Sequence, residues 1–303
     1  MQCPKCHFET EEQATECLKC GIVFAKYARH EEEVQLQQEL AEERRKQVAE
    51  LEQELTYRML AIPAALLSAR ILVGIAPAFV RILAMFVHES GHALTAWLCG
   101  YWATPGLWFT PVSDERSPWV TLFFTGVFGF GLYWSWTTKR RAVSTLFIAA
   151  LLFELVGTLL PARQAQALFI FGGDGGSLVL GSLLMTTFYA RPDSPLCENS
   201  LRWGFLGIGA VAFMDAFCSW TGKEEDIPFG VQEGALSDPS ALVETYGWTI
   251  QLMIQRYVRL AAVSLIALAI AYVFGVMRTR AELRSANSFR VTNPAFRTRK
   301  SRT

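Results

Sequence analysis

Between residues 59 and 277 the sequence is a succession of apolar runs, at about 59–76, 78–99, 117–137, 142–161, 164–190, 201–220 and 250–277. Each is close to the roughly 20 residues a helix needs to cross the hydrocarbon of a bilayer. A backbone in lipid must satisfy its own hydrogen bonds, which a helix does. The expected fold is therefore mainly α, a polytopic helical membrane bundle. The first run carries Arg70 near its centre and Pro63 and Pro77 near its ends, which suits an interfacial or re-entrant helix. Lys139-Arg140-Arg141, Arg191, Arg202 and the C-terminal tail favour the cytoplasmic face, and the acidic loop 223–244 the opposite one. These demands agree with about six spans plus that one helix, with both termini cytoplasmic. A bacterial inner membrane is the expected location.

The chain has no net charge, but this is a sum of unlike parts. Residues 1–58 hold 13 acidic and 8 basic side chains, whereas residues 278–303 carry eight Arg or Lys against the single Glu282. That tail is expected to rest on anionic lipid, at about 1 kcal/mol per basic residue near the surface. At the other end Met1 leads directly into Cys3-Pro4-Lys5-Cys6, unlike a signal peptide. Cys3 with Cys6 and Cys17 with Cys20 form two CxxC pairs, and each such turn offers two thiolates to one tetrahedral ion. So short a segment buries too little apolar surface to fold alone, so the metal would supply the folding energy. The pattern predicts a structural zinc ribbon over 1–28, with a redox dithiol as the alternative. It resembles small treble-clef or rubredoxin-like ribbons. Lys5 and Lys19 are too few to argue for nucleic acid, leaving a cytosolic protein as the possible partner. Cys99, Cys197 and Cys218 are scattered, a usage that suits a reducing compartment.

Residues 29–58 read as a charged helical spacer. Val34, Ala41, Val48 and Leu55 recur every seven residues, but Gln37 and Arg44 take complementary positions and only Leu51 there is apolar. This weak heptad fits a solvated spacer or a dimer-forming coiled coil. The organisation is thus ribbon 1–28, spacer 29–58, membrane body 59–277 and basic tail 278–303.

Within the second apolar run lies His88-Glu89-Ser90-Gly91-His92, an HExxH motif. On a helix the two imidazoles share a face and can grip one ion. Glu89 projects about 100° away, free to take a proton from a water that zinc has acidified. Ionisable groups inside a bilayer are costly unless paired or functional, and a zinc ion would give these three a common partner. Catalytic zinc takes three protein ligands and leaves the fourth position open. His7 and His30 lie in the cytoplasmic head, so the third ligand is expected from a membrane carboxylate: Asp174, Glu154 or Asp215. Asp174 stands among Gly172, Gly173, Gly175 and Gly176, which would let backbone approach closely; a capping role for that aspartate is the plainer reading.

Over roughly residues 78–190 the chain resembles the site-2 protease family of intramembrane zinc metalloproteases, in which HExxH in one membrane helix is joined by an Asp-Gly in a later one. The resemblance implies His88 and His92 as zinc ligands, Glu89 as the base and Asp174-Gly175 as the distal motif. It also implies endopeptidase cleavage of a membrane protein substrate. Two departures stand out. Gly173 precedes Asp174 where the family often has Leu, without an upstream Asn-Pro. Two apparent spans separate the motifs, which would make the two helices antiparallel. The aromatic segment 100–111 can serve as an extended edge for a substrate strand or place Tyr101, Trp102 and Trp108 as interfacial anchors.

The expected protein is a zinc-dependent membrane endopeptidase with one catalytic and one structural Zn2+. The alternative is a non-catalytic membrane scaffold that binds a cytosolic partner through its ribbon. A transporter using Glu154 and Asp215 is weaker, because no paired inverted halves are visible.

Overall fold

A computed structural model describes residues 1–11, 13–191, 194–198, 200–232 and 235–292. In chain order the elements are helices α1 (Phe24–Ile75) and α2 (Pro77–Leu98), strands β1 (Tyr101–Ala103) and β2 (Val112–Arg116), and helices α3 (Pro118–Thr137), α4 (Arg141–Leu159), α5 (Ala162–Thr186), α6 (Pro195–Glu198) and α7 (Leu201–Thr221). Strands β3 (Val231–Gln232) and β4 (Ala235–Leu236), the short α8 (Asp238–Ser240) and the long α9 (Ile250–Thr292) complete it. Two compact units emerge, Met1–Tyr57 with Met277–Thr303, and Arg58–Val276.

In the first unit two cysteine turns lead into α1. Residues 31–56 contain neither Pro nor Gly, so nothing interrupts the helix. Its half-buried stripe is Ala41, Arg44, Val48, Leu51 and Leu55, the alternation of three and four residues that a heptad imposes. Ala286 and Asn287 of α9 share with Ala41, Arg44, Val48 and Glu52 a cavity of about 210 Å3. Part of the weak seam is thus met within the chain. The end of the basic tail, residues 293–303, lies outside the described residues.

In the second unit every expected apolar run is helical, but their characters differ. Five helices, α1, α4, α5, α7 and α9, are long and apolar enough to cross a bilayer. Leu152, Leu155, Val156 and Leu159 of α4 and Val263, Ile266, Ile270 and Phe274 of α9 are exposed, faces that a protein in water would bury. This is the composition of a membrane protein. Helices α2 and α3 are not among the five; α2 carries Arg81, His88, Glu89 and His92. The first run has no helix of its own. It is the end of α1, which continues unbroken through Pro63 to Ile75. Pro77 disfavours helical backbone at Ala76 and itself occupies the first turn of α2, so the break falls between the runs rather than inside one.

The site is positioned by α2, α5 and α7. His92 meets Phe169 and His88 meets Asp174, so α2 and α5 run antiparallel. Their backbones nearly touch: a Cβ at Gly91 would fall on the Gly172 carbonyl and 2.8 Å from the Gly176 Cα. At the α5–α7 crossing, a Cβ at Gly209 would lie 2.6 Å from the Gly181 carbonyl. Small residues at such crossings are what membrane helices use to approach closely. Gly91→Ala is therefore expected to destabilise the bundle by about 1–3 kcal/mol or more, read as a lower melting temperature in detergent. Gly204→Ala, a site with open space around it, should leave that temperature unchanged. Helices α3 and α4 form a hairpin, joined by Ser135 Oγ and Ser144 Oγ 2.9 Å apart. Strands β1 and β2 pair antiparallel beside the end of α2, where Trp97 Nε1 donates to the Ala103 carbonyl at 2.9 Å.

Candidate metal centres

Each cysteine turn closes on itself. The N–H of His7 donates to the Cys3 carbonyl and that of Gly21 to the Cys17 carbonyl, with His7 and Gly21 both at positive φ. This brings Cys3 Sγ to 3.7 Å from Cys20 Sγ and Cys6 Sγ to 3.7 Å from Cys17 Sγ. Metal–sulfur bonds of about 2.3 Å in a tetrahedron require edges of about 3.8 Å, so the four thiols form a cluster that could hold one metal ion. Burial raises the Cys3 pKa, but the Cys6 and Lys5 N–H groups and the neighbouring thiols bring it to about 6. The Ile22 N–H lowers that of Cys20, yet burial and the other three cysteines push it up to about 12. One thiol thus ionises readily and the last resists, as expected of a cluster that needs a cation to become fully anionic. Cys17→Ser should remove this metal and unfold residues 1–23 in the full chain. Structural zinc in comparable peptides contributes about 10–16 kcal/mol of apparent binding energy. Metal content and proteolysis of the N-terminus check it; a retained metal and an intact segment would count against the cluster.

The second centre is built on α2. Its helical turn places His88 Nε2 and His92 Nε2 3.1 Å apart. Asp238 Oδ2 lies 3.1 Å from each of them. An ion bound by nitrogen and oxygen at about 2.0–2.1 Å needs edges of about 3.3–3.4 Å, close to this triangle. The other ring nitrogens are already engaged. His92 Nδ1 lies 2.7 Å from the Phe169 carbonyl, which can only accept, so Nδ1 donates. His88 Nδ1 lies 3.0 Å from Asp174 Oδ1. Each ring thereby turns an Nε2 lone pair toward Asp238. Three acceptors this close can coexist only with protons or a cation between them, and His88, His92 and Asp238 form a group that could hold a metal ion. Burial alone would raise the Asp238 carboxyl, but His92 and His88 beside it hold it well below the usual carboxylate range.

Asp238 comes from the loop between α7 and α9. It opens α8 behind Ser237, with Pro239 in the first turn. The loop is tied by the Ser237 N–H to the Gly230 carbonyl and by the Gly230 N–H to Ser240 Oγ, both at 2.8 Å. Gly173 keeps the triangle clear: a Cβ there would stand 2.5 Å from His92 Nε2 and 2.6 Å from His88 Nε2. No side chain larger than glycine's would fit there without displacing an imidazole. The side chains of His88 and Asp238 are 21% and 23% exposed, so the triangle is reachable from outside.

The sequence-derived set is brought together in part. His88 and His92 converge, and Glu89 is buried beside them, its carbonyl accepting from Thr110 Oγ1 at 3.1 Å. Asp174 does not join the triangle. It sits on the opposite nitrogen of His88, and its Oδ2 accepts from Trp220 Nε1 at 2.7 Å. Glu154 faces Thr125 within the α3–α4 hairpin, and Asp215 is outside the group as well. Asp238 was missed because only membrane carboxylates were weighed, which excluded the acidic loop. The Ser237-Asp238-Pro239 helix-start signal was the available clue. Of the expected aromatic anchors, Trp102 and Trp108 are exposed, whereas Tyr101 is buried against Phe169, with ring centroids 5.7 Å apart.

No protein-family model, curated protein or solved structure matches this chain.

Proposed function

We propose that the protein is a membrane zinc endopeptidase in which His88, His92 and Asp238 hold the catalytic ion and Glu89 is the general base. The observation that carries this reading is the triangle that His88 and His92 of the HExxH helix make with Asp238 of the loop after α7, with both outer ring nitrogens already bonded. A zinc ion in that position would supply Lewis acidity, lowering the pKa of a water toward neutrality and polarising a carbonyl. Glu89 takes the proton from the attacking water and passes it to the departing amine. His88 and His92 bind through Nε2, and Asp174 and the Phe169 carbonyl orient them.

Asp174 is thus an orienting partner on this reading rather than the ligand that the family resemblance implies. The four-cysteine cluster is a structural zinc ribbon that recruits a cytosolic partner or the substrate's cytoplasmic end. The start of α1 and the end of α9 belong to one unit, which supports their lying on one side of the membrane, the cytoplasmic side on this reading. The substrate is a membrane protein.

The test is reconstitution in lipid vesicles with a library of apolar transmembrane peptides, with fragments read by mass spectrometry. Expected are fragments that disappear with a zinc chelator and return with zinc. Intact peptides in the presence of both metals would favour the scaffold.

A further inference from the structure

Beyond the groups assigned above, a column of aromatic rings stands behind the second centre. Trp220, in the last turn of α7, is 2% exposed, and Tyr257 of α9 is fully buried. Their rings stack with centroids 3.8 Å apart and planes 18° from parallel. The other face of the column is Phe171 of α5, 4.2 Å from Tyr257. The Tyr257 hydroxyl donates to the Phe171 carbonyl at 3.2 Å, three residues before Asp174. The indole has one donor and no acceptor, and Trp220 spends it on Asp174 Oδ2.

The consequence concerns rotation. An aspartate carboxylate turns easily about its last torsion. Here Oδ1 is taken by His88 Nδ1 and Oδ2 by Trp220, so the group is pinned at both oxygens. Charge-assisted bonds of this kind are stronger than neutral ones, and the stacked rings hold the indole in place. We infer that Trp220 is a positioning residue of the metal centre: its N–H fixes Asp174, which fixes the tautomer and plane of His88. Tyr257 supports it through stacking, so the C-terminal helix helps set the geometry of a site to which it contributes no ligand. This inference rests on the metal reading of His88, His92 and Asp238.

The test is cobalt(II) titration of the full chain, with zinc already in the cysteine cluster, followed by visible absorption and competition with a chelator. The wild type should take up one cobalt with the intense bands of a four-coordinate site. Trp220→Phe keeps a ring in the stack but lacks the donor. It should bind cobalt about 10- to 100-fold more weakly, with altered bands. Asp174→Asn should show a similar loss, and the double variant little more than either, because the two act through one chain of bonds. Replacement of Trp220 by benzothienylalanine, which keeps the bicyclic shape without the N–H, should behave like Trp220→Phe and guards against a packing effect. Wild-type affinity and spectrum in the benzothienyl protein would overturn the inference, as would losses that simply multiply in the double variant. A wild type that takes up no cobalt would sink the metal reading and this inference with it.

Discussion

Glu89→Gln is expected to leave metal in both centres and to slow peptide cleavage by about 100- to 10,000-fold, the usual contribution of a positioned acid–base group. Glutamine keeps the size and the buried position of Glu89 but cannot accept a proton. The residue follows a ligand directly in sequence, and one residue is about 100° of helix. It therefore cannot share the metal face with His88 and His92, which are one turn apart. The rate of fragment release and the metal content of the same preparation separate the possibilities. Cleavage at the wild-type rate would remove Glu89 as the base; loss of the metal would make it a ligand instead.

The second large effect separates the two aspartates at His88. Asp238→Ala removes one corner of the 3.1 Å triangle and should strip the second metal at chelator concentrations that leave the cysteine-bound metal untouched. Asp174→Asn removes only the orienting carboxylate and should weaken binding by the 10- to 100-fold typical of outer partners, at most about 3 kcal/mol. The order of the two losses is the prediction. Were Asp174→Asn to strip the metal while Asp238→Ala kept it, the roles would be exchanged and the loop would merely cover the site.

What could be read in advance follows from how far each signal reaches along the chain. The helices at all seven apolar runs were legible because length and hydropathy are local properties. So were the cysteine pairs and the imidazole pair, since a four-residue spacing fixes a geometry within one turn. The glycines around Asp174 signalled close backbone approach, and Gly91 meets Gly172 and Gly176 there. What could not be read was which oxygen reaches which nitrogen across 150 residues. Asp238 and Asp174 both contact His88, at opposite ends of one ring, and that choice depends on how the loop after α7 returns. Likewise Pro63 stands at an exposed position inside α1, which runs on past it. The partner of the weak heptad also had no local sign, because α9 meets it from the far end of the chain.

Two cations per molecule, one on sulfur and one on nitrogen and oxygen, is the proposition on which the rest stands, and elemental analysis of protein purified from membranes measures it directly. The account requires two zinc ions per wild-type chain and a single one after His92→Ala, with the cysteine-bound ion retained. One zinc per chain in both proteins would contradict it.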